Sequence, residues 1–142
     1  MKLLSTCLAF FVVSISLSGQ GKFAGVWQNI DDEDGKPKSH IQIYEEDGEL
    51  KAKVIKLLPA ATVKVCTACT GDLKNKPIEG MVLVKNMKKE SEKVYTGGEI
   101  LNPKNGKTYD CTMTLKDENT IKLRGFIGIS IMGKTQYWKR VK

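Results

Sequence analysis

Tyr109-Asp110-Cys111-Thr112-Met113-Thr114-Leu115-Lys116 decides the fold class. Its bulky or apolar members fall on every second position and its polar members between them, the period of a strand with one buried face and one wet face. The same reading extends outward. Gly25-Val26-Trp27-Gln28-Asn29-Ile30 runs into the turn Asp31-Asp32-Glu33-Asp34-Gly35, and residues 39–46 set Ile41 and Ile43 against Gln42 and Tyr44. Asp47-Gly48 makes the next hairpin, after which Leu50, Ala52 and Val54 alternate with Lys51 and Lys53. Residues 80–84 form a continuous apolar run, 98–101 a shorter candidate, and Lys104-Asn105-Gly106 turns the chain. Residues 120–127 and 134–141 complete a set of about eight strands with no convincing amphipathic helix among them. The pattern predicts a single all-β domain, an antiparallel up-and-down β-barrel. Closure would remove the exposed edges that a small sheet protein must otherwise protect.

The 142 residues suit one domain, and 41% hydrophobic with 27% charged residues is the composition of a folded chain. The start is different. Met1-Lys2 is basic, residues 3–17 are apolar apart from scattered Ser and Thr, and Ser16, Ser18 and Gly19 are small. That order is a secretory signal peptide, with cleavage expected after Gly19 and the barrel domain spanning 20–142. Cys7 lies inside the apolar run, too early for a usual lipid-attachment site. The remaining chain carries no second long apolar stretch, so no transmembrane segment is expected in the mature protein. The expected location is therefore outside the cytoplasm, periplasmic or secreted.

The net charge of +7 comes from lysines spread thinly along the chain, without a basic helix and without interleaved aromatic residues. A solvated barrel exterior is the reading, and nucleic acid is not an expected partner. His40 is the single histidine, which removes most zinc hydrolases and histidine-based triads. The acids of residues 31–34 lack the alternating spacing of a helix–loop–helix calcium site, and neither a metal nor a cofactor is expected.

Cys66-Thr67-Ala68-Cys69 lies in a connection, residues 59–77, too long for a hairpin. Zinc would need two further ligands, and only Cys111 and His40 are on offer, both on predicted strands. A redox pair would need a helix N-terminus to lower a thiol pKa. A structural disulfide in an oxidising compartment is the preferred reading, with Cys111 as a buried free thiol that behaves as a small hydrophobe.

Only two of the 23 basic residues are arginines, Arg124 and Arg140, both in the final strands. Arg140 shares a strand face with Trp138, and closure would bring the last strand beside the first, which carries Trp27. Stacking of Arg140 on Trp27 to seal one barrel end is the expected structural role. Arg124 shares parity with Lys122 unless Gly125 introduces a bulge; inward, it would hold an anionic group.

Gly25-Val26-Trp27 and Tyr137-Trp138-Lys139-Arg140-Val141 resemble the two ends of a lipocalin-type (calycin) barrel. A closer resemblance is to a bacterial exported family, the domain of unknown function 2147. It is carried by Cys66-Thr67-Ala68-Cys69-Thr70-Gly71-Asp72, Gly97-Gly98-Glu99-Ile100-Leu101-Asn102-Pro103 and Asn105-Gly106-Lys107-Thr108-Tyr109, and by Leu123-Arg124-Gly125-Phe126-Ile127-Gly128 and Gly133-Lys134-Thr135-Gln136-Tyr137-Trp138. Asn102 and Lys134 depart from the Asp and Arg that the pattern leads one to expect. The resemblance implies the fold and export, and no established activity.

The leading functional expectation is a non-enzymatic barrel that binds a small amphipathic or anionic molecule in the bacterial envelope. Trp27, Tyr109, Arg124, Trp138 and Arg140 are the candidate ligand-binding residues. A second reading is a structural or interaction module with a packed core, in which the Cys66–Cys69 loop and residues 124–132 touch an envelope partner. A third is a thiol–disulfide enzyme using Cys66 and Cys69.

Overall fold

A computed structural model describes residues 21–128 and 133–142. The expected leader, residues 1–19, lies outside the described residues, as do Ile129 and Ile131 of the apolar stretch before Gly133. The strands are β1 (Gly25–Ile30), β2 (Pro37–Glu46), β3 (Glu49–Leu57), β4 (Val82–Ser91), β5 (Val94–Asn102), β6 (Lys107–Asp117), β7 (Thr120–Phe126) and β8 (Gly133–Arg140). Each pairs antiparallel with its sequence neighbour, and β8 returns to β1, so the sheet is a closed eight-stranded barrel. The closing ladder sets Trp27 opposite Arg140 and Asn29 opposite Trp138. The alternation that marks β6 in the sequence is the alternation of its burial: Cys111, Met113 and Leu115 are buried while Thr112 and Thr114 are only partly covered.

Two strands differ from their sequence reading: β5, expected over 98–101, spans Val94–Asn102, and β4 departs further. The apolar run 80–84 predicts a short strand, whereas β4 begins at Val82 and continues through the polar residues to Ser91. Its inward residues Val84 and Met87 are three apart because Asn86 adopts a positive φ of 61°. Three β4 residues thereby span the distance that two cover on β3, where Leu50 faces Met87 and Ala52 faces Val84. This is a β-bulge, which interrupts the period-two signal and bends the strand. Gly97, at φ 72°, makes a matching irregularity on β5. A Cβ on the next residue, Gly98, would lie 2.5 Å from the Lys85 carbonyl oxygen and closer still to Met87 Sδ, so the Gly97-Gly98 pair is required by backbone approach.

The chain direction sorts the connections into two ends. The tight turns after β2, β4 and β6 lie at one end, together with residues 21–24. The connections after β1, β3, β5 and β7 lie at the other. Phe23 plugs the first end, buried and edge-on to Tyr95 with ring centroids 4.9 Å apart.

Candidate functional site

The interior is not uniform from end to end. Towards the plugged end the inward positions are filled by Trp27, Ile43, Met87, Met113 and Ile121, all essentially inaccessible. Beyond Ile41, Val54, Ile100, Leu123 and Trp138 the space opens into a cavity of about 370 Å³. That is within the usual range for small-molecule pockets, roughly 300–1,000 Å³. Its walls are apolar, and part of them is supplied by the long β3–β4 connection through Val63 and Ile78.

A short polar chain lies across the floor. Trp138 Nε1 donates to Gln136 Oε1 at 2.9 Å, and Asn29 Nδ2 donates to the same oxygen at 3.0 Å. An indole nitrogen can only donate, so the Gln136 atom facing it is the carbonyl oxygen, and the Asn29 atom facing that oxygen is the amide nitrogen. The Asn29 carbonyl oxygen is therefore the group left over; it is buried and has no hydrogen-bond partner among the described residues. Opposite Asn29 on β2 stands Ser39, also part of the lining and only 6% exposed.

The mouth is charged. Lys104 of the β5–β6 turn reaches Asp31 of the β1–β2 turn at 2.9 Å, and Lys38 reaches Asp34 at 2.6 Å. The hydrogen bond from Lys104, helped by the Glu33 backbone N–H, holds the Asp31 carboxyl below the usual carboxylate range and raises the Lys104 ammonium in turn. Asn102 and Lys134, the two departures from the family pattern, both line this mouth. Asn102 Oδ1 accepts from the Lys104 backbone N–H at 3.0 Å, a turn-closing bond that an aspartate oxygen would make equally well.

Of the five residues singled out from the sequence, Tyr109 and Trp138 line the cavity. Trp27 and Arg140 meet at the other end, with the guanidinium carbon 4.2 Å from the indole centroid. Arg140 further donates to the carbonyls of Lys22, Ala24 and Glu118 at 2.7, 3.2 and 2.8 Å. It ties residues 22–24, the last strand and the β6–β7 turn into one closure below the packed layers, which places Trp27 and Arg140 outside the cavity lining. Arg124 lies outside the lining as well. The ladders run past Gly125 without a bulge, pairing Arg124 with Thr112 and Thr135, so Arg124 keeps the outward parity of Lys122. Its Nη1 donates to Thr135 Oγ1 at 3.2 Å.

Cys66 and Cys69 form a disulfide, as the sequence reading prefers. Both sulfurs are buried beside Met81, packed on Leu83 and Leu101. Cys66 Sγ approaches the Pro103 carbonyl oxygen at 3.5 Å; a disulfide sulfur has no proton to donate, so this is a packing contact. Gly106 lies so close to the loop that a Cβ there would stand 2.0 Å from the Ala68 oxygen. The disulfide thus braces the β3–β4 connection against the β5–β6 turn at the cavity mouth. Among the described residues the helical element beside it is a three-residue 3₁₀ turn, Gly71–Leu73, which begins after Cys69. Cys111 is a free buried thiol, pushed up by burial to about 12.

Sequence reasoning passed over Asn29, Gln136 and Ser39. A signal existed: Asn29 shares parity with Trp27, Gln136 with Trp138 and Ser39 with Ile41, so each is a polar residue at an inward position.

Residues 25–140 match a family described as uncharacterised proteins conserved in bacteria, DUF2147. The chain belongs to the DUF2147 family. Among solved structures it is similar to protein HP1028 of Helicobacter pylori, described as belonging to the lipocalin family. The TM-score is 0.76 at 23% identity, over 86% of this chain and 84% of the other. A redesigned β-barrel also aligns, at TM-score 0.49 and 17% identity over 85% of this chain and 93% of that one. No curated protein matches the sequence. The DUF2147 chain described here is thus a lipocalin-like barrel with one plugged end and one open end.

Proposed function

We propose that this DUF2147 barrel is a non-enzymatic carrier or receptor for one small, largely apolar molecule held in the open half. The observation that carries this reading is the cavity of about 370 Å³ above a fully packed half-core, since a barrel needed only for its stability would fill both halves. The apolar walls favour a hydrocarbon or ring, and the polar floor and charged mouth would orient it. No cluster of His, Cys, Asp and Glu suited to a metal occurs among the described residues. The buried sulfurs of Cys66 and Cys69 support a brace rather than a thiol–disulfide enzyme.

The place of action in this proposal is outside the cytoplasm, in the periplasm or beyond the cell. Its support is the basic, apolar and small-residue order of residues 1–19 and a disulfide of the kind oxidising compartments maintain. Native mass spectrometry of the protein purified without detergent, before and after exposure to envelope lipid extract, tests the function. A mass increment that appears with the extract and is lost on denaturation is expected. A barrel that takes up nothing contradicts it.

A further inference from the structure

The identity of the ligand's buried end follows from the floor of the cavity, given the binding role proposed above. Trp138 fixes Gln136 as acceptor, Gln136 fixes the Asn29 amide nitrogen as donor, and the Asn29 carbonyl oxygen is left buried and unpartnered. Leaving a buried acceptor unmade costs about 1–3 kcal/mol, so the site carries an unmet demand for a donor. Ser39 stands opposite on β2 and lines the same cavity. One side of the floor therefore asks for a donor and the other offers a hydroxyl that can donate or accept.

We propose that the cavity selects a small apolar alcohol, whose hydroxyl donates to Asn29 Oδ1 while its oxygen accepts from Ser39. A hydroxyl supplies both from a single neutral oxygen. A carboxylate would bring only acceptors towards the oxygens of Asn29 and Gln136. An ammonium would be drawn to the carboxylates of the mouth, Asp31, Asp32 and Glu33, rather than to the floor ringed by Ile41, Val54 and Leu123. An ether or hydrocarbon leaves Asn29 unmet. The basis of selection is the asymmetry of unsatisfied polar groups, which discriminates more sharply than apolar fit.

The test uses the full disulfide-bonded chain and isothermal titration calorimetry with octanol, octyl methyl ether and octanoate. Octanol is expected to bind about tenfold more tightly than the ether, and octanoate more weakly than octanol. In Asn29→Leu, which removes the orphan oxygen and keeps the volume, the alcohol and ether are expected within about twofold of each other. Ser39→Ala is expected to weaken octanol while leaving the ether unchanged. Equal affinity for alcohol and ether in the unaltered protein overturns the donor rule and leaves the cavity reading standing. Tightest binding by octanoate overturns the rule in favour of an anion held at the lysines of the mouth. Failure of all three probes to bind overturns the cavity reading itself.

Discussion

The two halves of the barrel share the same eight strands and differ in what their inward positions hold. At the plugged end these positions carry aromatic and large aliphatic side chains, the interior is full, and Arg140 locks the last strand to residues 22–24. At the open end Asn29, Ser39 and Gln136 replace them, a cavity follows, and the longer connections supply its wall and mouth. The plugged half carries the fully packed layers, and the open half carries polar groups at inward positions that a purely structural core would not tolerate. On the binding role proposed above, stability and recognition separate along the barrel axis, and substitutions should sort by the half in which they fall.

The largest effect expected is from Trp27→Ala, which empties the centre of the packed half and is expected to cost about 3–5 kcal/mol in urea unfolding. Arg140→Leu comes next. It removes the stack on Trp27 and leaves three carbonyls without their donor, for a loss of about 2–3 kcal/mol, and Arg140→Lys should recover little because the fork geometry is gone. Neither should change ligand preference in whatever fraction remains folded. If Arg140→Leu altered that preference at unchanged stability, the separation of the halves would be broken.

The contrast is also one of legibility. Closure could be read because its two partners, Trp27 and Arg140, sit in alternating strands at opposite ends of the chain. The strand count could be anchored because β2, β3 and β6 keep period two without interruption over their buried residues. The second half of β4 could not, since the bulge at Asn86 moves Met87 out of phase and leaves a run of lysines that reads as a loop. The outward direction of Arg124 was present in its parity with Lys122 and hinged on whether Gly125 bulged. The cavity was least legible. Its wall depends on Val63 and Ile78, which belong to a loop whose position is set by contacts with Gly106 and Pro103, distant in the chain. Its floor depends on three polar residues whose inward parity looks unfavourable until the space above them is known.

Smaller effects sharpen the comparison within the open half. Replacing both Cys66 and Cys69 by Ser removes a short covalent loop, with about 2 kcal/mol of stability expected to go. Because the disulfide braces the wall that includes Val63 and Ile78, ligand affinity should fall in the same variant, which calorimetry reads directly. For Cys111, in the packed half, burial raises the folded-state thiol from 9.0 to about 12. A raised pKa means that the folded state resists losing the proton. The contribution is complete below about 9 and disappears as the pH climbs towards 12, amounting to about 1 kcal/mol lost by about pH 10. Comparing the pH dependence of unfolding with that of Cys111→Val isolates this term from the lysines. Arg124→Ala, at an outward position of β7 and outside the cavity lining, is expected to leave ligand affinity where it was.

The two tryptophans of the chain offer the most direct measurement, because each half contains one and each indole N–H is held by a defined acceptor: Trp27 by the Phe23 carbonyl at 2.8 Å and Trp138 by Gln136. In nitrogen-15 NMR spectra recorded while octanol is added, the Trp138 indole resonance is predicted to shift and saturate while the Trp27 indole resonance stays fixed. Movement of the Trp27 signal alone, or of both together, would contradict a barrel divided into a rigid plugged half and a binding open half.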